Sequence, residues 1–264
     1  MSQSVFIEGR GSETPLSVAV GTWWTSFASA YHLSELPRDY LSFHVHTTGL
    51  EEDDLVAEIG HLCVRDGTVV DRGSRIVNWY LSPIDAHKLT GRLEYTRSQM
   101  EASGVACRHT PTRLQNEGED PWEVLGDYQQ MLKDWQRGGG VFLAHNGLKF
   151  GVPFLEDSFD RCFVNPWRFD RDTVLDVGAI CKGVFMGELA DSDRSMGSYL
   201  GHLLDIPAPG VRWSLQHCVE SFVPPADRRP RSHEYPADHD AYLVHLVFEG
   251  LRRHIAPLRG SGAS

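Results

Sequence analysis

The sequence lacks a long apolar run, paired cysteines and an excess of positive charge, and each absence argues against a class of protein. No run of about eighteen apolar residues occurs, so a membrane-spanning helix is not expected. The five cysteines are scattered without CxxC spacing, which argues against a zinc knuckle and a disulfide framework. The net charge of −11 argues against coating of duplex DNA through many Lys/Arg–phosphate contacts, but it is compatible with a small site for one strand end.

The N-terminal segment, residues 1–35, precedes the patterned part of the chain, which covers 36–258 and leaves 259–264 as a tail. Its first residues, MSQSVFIEGRGSE, do not have the basic-then-apolar order of a signal peptide, so a cytoplasmic protein is expected. The stretch SVAVGTWWTSFASAYHL predicts a helix that carries Trp23 and Trp24. We favour packing of this helix on the domain over stacking of its two indole rings on nucleic-acid bases.

Strands dominate the part of the chain that follows. In YLSFHVHTT, Phe43 and Val45 alternate with His44 and His46, as expected for a strand. The stretch LVAEIGHLCVRDGTVVDRGSRIVN predicts two more strands, Leu55–Arg65 and Thr68–Asn78, joined by an Asp-Gly turn that is typical of a hairpin.

Helices alternate with strands after this hairpin. PWEVLGDYQQMLKDWQRGG predicts an amphipathic helix that begins at Pro121, GVFLA predicts a short strand, and HDAYLVHLVFEGLRRHI predicts a final helix. The polar segment from Arg108 to Pro121 is expected to be irregular and to form a surface insertion at 108–121. Asp176, in VLDVG, is expected to have a structural role at a strand–helix junction. The order of elements predicts one α/β domain with a mixed sheet flanked by helices.

Several stretches match known motifs in the same order. FHVHTTGL corresponds to F-D-x-E-T-T-G-L, HKLTG to H-x-x-T-G, LAHNGLKFGVPFL to A-H-N-x-x-F-D-x-x-F-L, and HDAYLV to H-x-A-x-x-D. Over roughly Tyr40 to Arg253 the chain therefore resembles the DnaQ-like (DEDD-type) 3′→5′ exonucleases. This resemblance implies a ribonuclease-H-like fold.

The resemblance also shows where the chain departs from the family. Four carboxylates of the family hold two divalent metal ions, which activate water and stabilise the leaving oxygen of a phosphodiester. The corresponding positions here are His44, His46, Gly151 and Val244. A pair of Mg²⁺ ions, which prefer oxygen ligands, is therefore not expected.

Other functional positions of the family are retained. His239 matches the histidine that acts as general base, so it is the candidate catalytic residue if the protein is active. Positions that match the family and are expected to contact a terminal nucleotide are Thr47, Thr48, Gly49, Leu50, His145 and Asn146.

The two histidines of FHVHTTGL suit a transition metal. His44 and His46 point to the same side of a strand, and Asp240 lies one helical turn before Val244 on the same face. With His239 they would form a cluster for Zn²⁺, Mn²⁺ or Fe²⁺. Without a metal, imidazoles that become cationic near neutral pH would bind phosphate directly, or the histidines would have no function.

Three functional hypotheses remain open at this point. The leading one is a divergent exonuclease-fold protein, inactive as a two-metal nuclease, that binds a nucleic-acid 3′ end or single strand, a nucleotide or a protein partner. The alternative is an active phosphodiester hydrolase, similar to a 3′→5′ exonuclease, that uses a His-bound transition metal. The third is an architectural subunit whose partner surface includes Trp23, Trp24 and the 108–121 segment.

Overall fold

The computed structural model describes residues 4–5, 14–51, 53–83, 86–102, 107–229 and 235–255. The predicted tail at 259–264 lies outside these residues. The helices of the described residues are α1 (Leu16–Ala30), α2 (Ala86–Ala102), α3 (Pro111–Glu117), α4 (Pro121–Arg137), α5 (Val152–Cys162), α6 (Val177–Met186), α7 (Met196–Asp205), α8 (Leu215–Phe222) and α9 (Ala237–Ile255). No helix among them combines the length and apolar character needed to cross a bilayer.

A mixed sheet of five strands forms the centre of the fold. Its strands are β3 (Tyr40–Thr47), β4 (Val56–Arg65), β5 (Thr68–Ile76), β6 (Val141–Ala144) and β7 (Val174–Asp176), and a separate short pair is formed by β1 (Ser4–Val5) and β2 (Thr14–Pro15). The order across the sheet is β5-β4-β3-β6-β7. The pairs β3–β4 and β4–β5 are antiparallel, whereas β6 pairs in parallel with both β3 and β7. The predicted α/β class with a mixed sheet is confirmed.

The predicted hairpin and the predicted amphipathic helix both form. Asp66 and Gly67 have φ values of 46° and 73°, the positive values that a tight hairpin turn requires. Helix α4 begins at Pro121, as expected, because the Asp120 carboxylate accepts hydrogen bonds from the backbone N–H groups of Trp122 and Glu123.

The segment from Arg108 to Pro121 is not irregular throughout, and in this respect the prediction was wrong. Helix α3 occupies its middle, with the Thr110 side chain accepting from the backbone N–H of Arg113 and a proline in the first turn. Leu114 and His109 are buried. This segment therefore packs against the domain, and its status as an insertion stays a prediction.

Helix α1 is part of the core. Trp23, Trp24 and Phe27 are buried, and the rings of Trp23 and Phe27 stack with 4.5 Å between centroids. The favoured interpretation, packing on the domain, is confirmed. Because both indole rings are covered, they are not available as a base-stacking platform or as a partner surface.

Helix α9 lies on the face of β3 and β4, and a glycine lets it approach closely. A Cβ atom at Gly60 would overlap with the backbone of Ala237 and Asp238, in the first turn of α9. Gly60 pairs with His44 across the antiparallel β3–β4 ladder. The small residue in β4 thus brings the start of α9 next to the histidines of β3.

Candidate metal centre

Four chain segments bring polar side chains together between β3, β4 and the first turn of α9. Strand β3 supplies His44 and His46, whose side chains share one side of the strand. Strand β4 supplies Glu58, which pairs directly with His46. Helix α9 supplies Asp240, and the residues before α3 supply His109.

The first set of potential ligands consists of His44, His46 and Asp240, which we call the outer group. Its ligand atoms all lie within 4.8 Å of one another. Oδ2 of Asp240 lies 3.3 Å from Nε2 of His44 and 3.7 Å from Nε2 of His46. The structure therefore brings together the three residues that the sequence analysis selected as metal ligands.

The second set consists of His46, Glu58 and His109, which we call the inner group. Nδ1 of His46 lies 3.0 Å from Nε2 of His109 and 3.3 Å from Oε2 of Glu58. Nε2 of His109 lies 3.4 Å from the same oxygen of Glu58. The His46 ring belongs to both groups, with one nitrogen turned to each of them.

The inner group was not predicted from the sequence. Glu58 lies opposite His46 only because of the register between β3 and β4, which single-strand periodicity does not give. His109 comes from a segment that was expected to be irregular. Its one signal was a histidine next to a Thr-Pro pair that starts a helix.

Charges at the two groups are buried and partly balanced. The side chains of Glu58 and Asp240 are 1% and 3% exposed. Burial by itself disfavours the charged form of His46, but the carboxylates of Asp240 and Glu58 outweigh it and raise the pKa of this imidazole above its ordinary value. The Nε atom of Arg108 lies 3.4 Å from Oε2 of Glu58, and burial lowers the pKa of this guanidinium.

His239 follows Asp238 on α9 but belongs to neither group of ligand atoms among the described residues. Its half-buried ring lies 4.3 Å from that of Tyr235, measured between centroids. Of the four residues of the predicted cluster, the structure therefore brings together the ligand atoms of His44, His46 and Asp240. The role of His239 as a general base stays a prediction.

The two other positions that match acids of the family are surrounded by apolar groups. A Cβ atom at Gly151 would lie 3.4 Å from Cε2 of Phe43 and 3.8 Å from Cγ2 of Val45. Phe43 and Val45 point to the side of β3 opposite to that of His44 and His46. Val244 is fully buried in α9.

The last residue of β3 and the loop after it include four of the residues expected to contact a nucleotide, Thr47, Thr48, Gly49 and Leu50. The Asp54 carboxylate fixes this loop, because it accepts hydrogen bonds from the Thr48 hydroxyl and the backbone N–H of Glu51, both at 2.9 Å. The Thr47 hydroxyl donates to the carbonyl of Gly49. Leu50, at the tip, has 82% of its surface exposed. The loop thus exposes the apolar side chain of Leu50, while hydrogen bonds to Asp54 hold its backbone.

His145 and Asn146 lie at the end of β6, where Asp176 organises the backbone. One carboxylate oxygen of Asp176 accepts from the backbone N–H groups of Asn146 and Ala179, and the other accepts from that of Leu148. Nε2 of His145 lies 2.8 Å from the carbonyl oxygen of Trp213, whose indole stacks on the imidazole. The structural role predicted for Asp176 is confirmed, and nucleotide contact by His145 and Asn146 stays a prediction.

No family model and no curated protein sequence matches the chain. Among solved structures, the chain is similar to the zinc-ion-bound complex of Escherichia coli exonuclease I with single-stranded DNA, with a TM-score of 0.54 and 14% identity over 85% of this chain and 43% of that chain. It is also similar to a product-bound structure of exonuclease I, with a TM-score of 0.53 and 13% identity over 85% of this chain and 46% of that chain. A complex of E. coli exonuclease I with a dT13 oligonucleotide matches with a TM-score of 0.51 and 14% identity over 85% and 43% of the two chains.

At these identities the similarity concerns the fold alone. It supports the ribonuclease-H-like arrangement expected from the sequence, a mixed five-stranded sheet flanked by helices. The chain spans less than half of the length of the exonuclease I chains that it matches.

Proposed function

We propose that the protein binds the end of a single nucleic-acid strand and does not hydrolyse it by Mg²⁺-dependent two-metal chemistry. The observation that carries this proposal is the set of potential metal ligands at and around the FHVHTTGL stretch. Three imidazoles and two carboxylates meet there, and the positions that match the remaining acids are a glycine and a buried valine.

Coordination chemistry argues against a Mg²⁺ pair at this place. Mg²⁺ requires near-octahedral oxygen ligands and keeps several waters. Gly151 has no side chain to offer, Val244 cannot ligate, and the side chains of both carboxylates are almost completely buried beside histidines. A pair of ions bridged by substrate phosphate would therefore lack most of the ligands that hold it.

The loop after β3 supports the assignment of a strand end as the ligand. Leu50 is exposed on the loop that starts directly after Thr47, and the Asp54 carboxylate accepts two hydrogen bonds within this loop. An exposed apolar side chain on a hydrogen-bonded loop suits contact with the face of an unstacked terminal base. The similarity of the fold to exonuclease I bound to single-stranded DNA is compatible with this ligand class.

Fluorescence anisotropy with a labelled single-stranded oligonucleotide that has a free 3′ hydroxyl tests the proposal. We expect binding by the full chain, and no shortening of the oligonucleotide on a denaturing gel after incubation with Mg²⁺. Replacing Leu50→Ala should weaken binding about tenfold, or about 1.4 kcal/mol, because one contact to a base is lost. Leu189→Ala, at another exposed leucine, should not change the affinity.

Two results would contradict the proposal. One is Mg²⁺-dependent shortening of the oligonucleotide that disappears in the His239→Ala variant, since that variant removes the candidate general base. The other is absence of binding to both DNA and RNA single strands by a folded protein. Binding of a nucleotide or a protein partner, which the sequence also left open, would then be the remaining alternative.

A second function, hydrolysis of a phosphodiester with a His-bound transition metal, is favoured by one observation. His44, His46 and Asp240 lie close enough to share an ion, and His239 is adjacent to Asp240 in the chain. This hypothesis predicts strand shortening in the presence of Zn²⁺ or Mn²⁺ that is lost in His44→Ala. Full activity in metal-free buffer with a strong chelator would exclude it.

The proposal includes the cytoplasmic location expected from the sequence. Fractionation of cells that produce the full-length protein, followed by detection with an antibody, tests this part separately.

A further inference from the structure

The inner group lies deeper in the fold than the outer group, and neither function proposed above gives Glu58 or His109 a role as a metal ligand or in catalysis. Both residues are buried, on β4 and before α3. Among the described residues, Oε1 of Glu58 accepts no hydrogen bond although it is removed from solvent. A buried carboxylate oxygen without a donor costs free energy unless a cation or another donor compensates it.

The distances within the inner group match those between ligands of a tetrahedral ion. The three ligand atoms are separated by 3.0, 3.3 and 3.4 Å. Zn²⁺ binds nitrogen and carboxylate oxygen at about 2.0–2.1 Å, which places two ligand atoms of a tetrahedron about 3.3–3.4 Å apart. The triangle formed by the three side chains therefore has nearly the dimensions of one face of a zinc coordination sphere.

The chemistry of the donors favours the same ion. Two imidazole nitrogens and one carboxylate oxygen suit Zn²⁺ and neighbouring transition metals, whereas Mg²⁺ and Ca²⁺ prefer oxygen alone. Three protein ligands leave the fourth coordination position of the ion for water or another small group.

Hydrogen bonds among His46, Glu58 and His109 explain these three distances less well than a shared metal ion does. One proton, on Nδ1 of His46 or on Nε2 of His109, can bridge the 3.0 Å between these two nitrogens, but their separations of 3.3 and 3.4 Å from Oε2 of Glu58 are longer than usual for N–H···O hydrogen bonds. The guanidinium of Arg108 also faces Oε2 of Glu58, at 3.4 Å from its Nε atom, and is the principal competitor of a metal ion for this carboxylate. A bound divalent ion would accept lone pairs from all three ligand atoms at once.

We propose that His46, Glu58 and His109 hold one zinc-class divalent ion through Nδ1, Oε2 and Nε2. The ion would connect β3, β4 and the segment before α3. His46 would present its other nitrogen to the outer group, so that its imidazole is shared between the two groups. This inference goes beyond the proposed function, because it concerns an ion that is bound in the absence of nucleic acid.

The amount of zinc bound per chain tests the proposal. It is measured in a variant that lacks one ligand of the outer group, so that bound zinc can be assigned to the inner group. The full-length His44→Ala variant is dialysed against zinc sulfate and then against metal-free buffer, and its bound zinc is measured by elemental analysis. We expect about one equivalent to remain, because three buried ligands should bind the ion with an affinity that withstands dialysis. Adding His109→Ala or Glu58→Gln should remove this equivalent, whereas adding His202→Ala, at an exposed histidine of α7, should leave it.

Thermal unfolding provides a second measurement on the same variants. Zinc should raise the melting temperature of His44→Ala and of its His202→Ala derivative, but not that of the His109→Ala and Glu58→Gln derivatives. Circular dichroism in the absence of zinc shows whether each variant is folded, and Glu58→Gln preserves the size of the side chain.

Several outcomes would overturn the inference. They are complete loss of zinc in His44→Ala, retention of zinc in folded derivatives that lack His109 or the Glu58 carboxylate, and failure of the wild-type chain to take up zinc. In the last case the inner group would be an ion-paired network with Arg108. Oligonucleotide binding is measured separately, so failure of this inference does not affect the proposed function.

Discussion

At the scale of single residues, Gly60 has a large influence on the candidate site. It lies in β4 opposite His44, and the first turn of α9 packs directly on its Cα atom. The carboxylate of Asp240 reaches the histidines of β3 from that turn. The absence of a side chain in one strand therefore sets the distance between the helix and the sheet at the site.

Replacing Gly60→Ala should lower the free energy of unfolding by at least about 2 kcal/mol, because the added methyl group overlaps with backbone atoms that cannot rotate away. Urea denaturation followed by circular dichroism measures this change. The matched control is Gly91→Ala in α2, where a Cβ atom meets nothing within 4 Å. That variant should be more stable by about 0.5–1 kcal/mol, since alanine is the better helix former. Equal stability of the two variants would contradict the close approach of α9.

The sequence predicts part of the candidate site at this scale. The shared side of His44 and His46 follows from strand alternation, and the displaced carboxylate Asp240 follows from helical periodicity. Glu58 and His109 could not be selected in the same way. The first depends on the register between two strands and the second on long-range packing, and neither is encoded in local periodicity.

At the scale of elements, helix α1 shows that the N-terminal extension contributes to the core. Its Trp23 ring stacks on Phe27 and lies against Gly183 of α6, where an added Cβ atom would come within 2.8 Å of the indole nitrogen. The close contact between α1 and α6 depends on this pairing of a large and a small residue.

Trp23→Ala should destabilise the protein by about 3–5 kcal/mol, because it removes a buried aromatic ring and leaves a cavity between α1 and α6. The control Val18→Ala changes the same helix at a residue that is 54% exposed, and should alter stability by less than about 0.5 kcal/mol. Denaturant unfolding of both variants gives the comparison. A small effect of Trp23→Ala, equal to that of Val18→Ala, would mean that α1 does not pack on the domain in solution.

Elements with strong local signals are predicted well, and α3 shows what is missed. The β4–β5 hairpin follows from its Asp-Gly turn, and α4 follows from Asp120, Pro121 and its apolar periodicity. Helix α3 is short and polar, with one buried leucine, so no periodicity reveals it. Its Thr-Pro start was a usable capping signal, but a polar segment of this length is also typical of a loop.

At the scale of the whole molecule, the order of the motifs along the chain predicts the fold better than the amino-acid composition does. The strand order β5-β4-β3-β6-β7 combines an antiparallel hairpin with parallel additions, and hydrophobic patterns alone do not give such an order. The match of several motifs in the same order predicted the ribonuclease-H-like fold with a mixed sheet, and the structure adds the order of the strands. Composition and charge set limits on the kind of nucleic-acid contact rather than on the fold.

The net charge of −11 leads to a prediction about how the protein would bind a strand. A protein that neutralises several phosphates releases counterions, and its affinity for single strands then falls with salt at a slope of about −0.7 per phosphate contact. An acidic chain that grips only a terminus should make about two or three such contacts, so we expect a slope of log K against log salt no steeper than about −2. Anisotropy titrations between about 50 and 200 mM KCl measure this slope. A slope near −5 would instead indicate an extended basic track, and the end-binding proposal would then have to be abandoned in favour of binding along the strand.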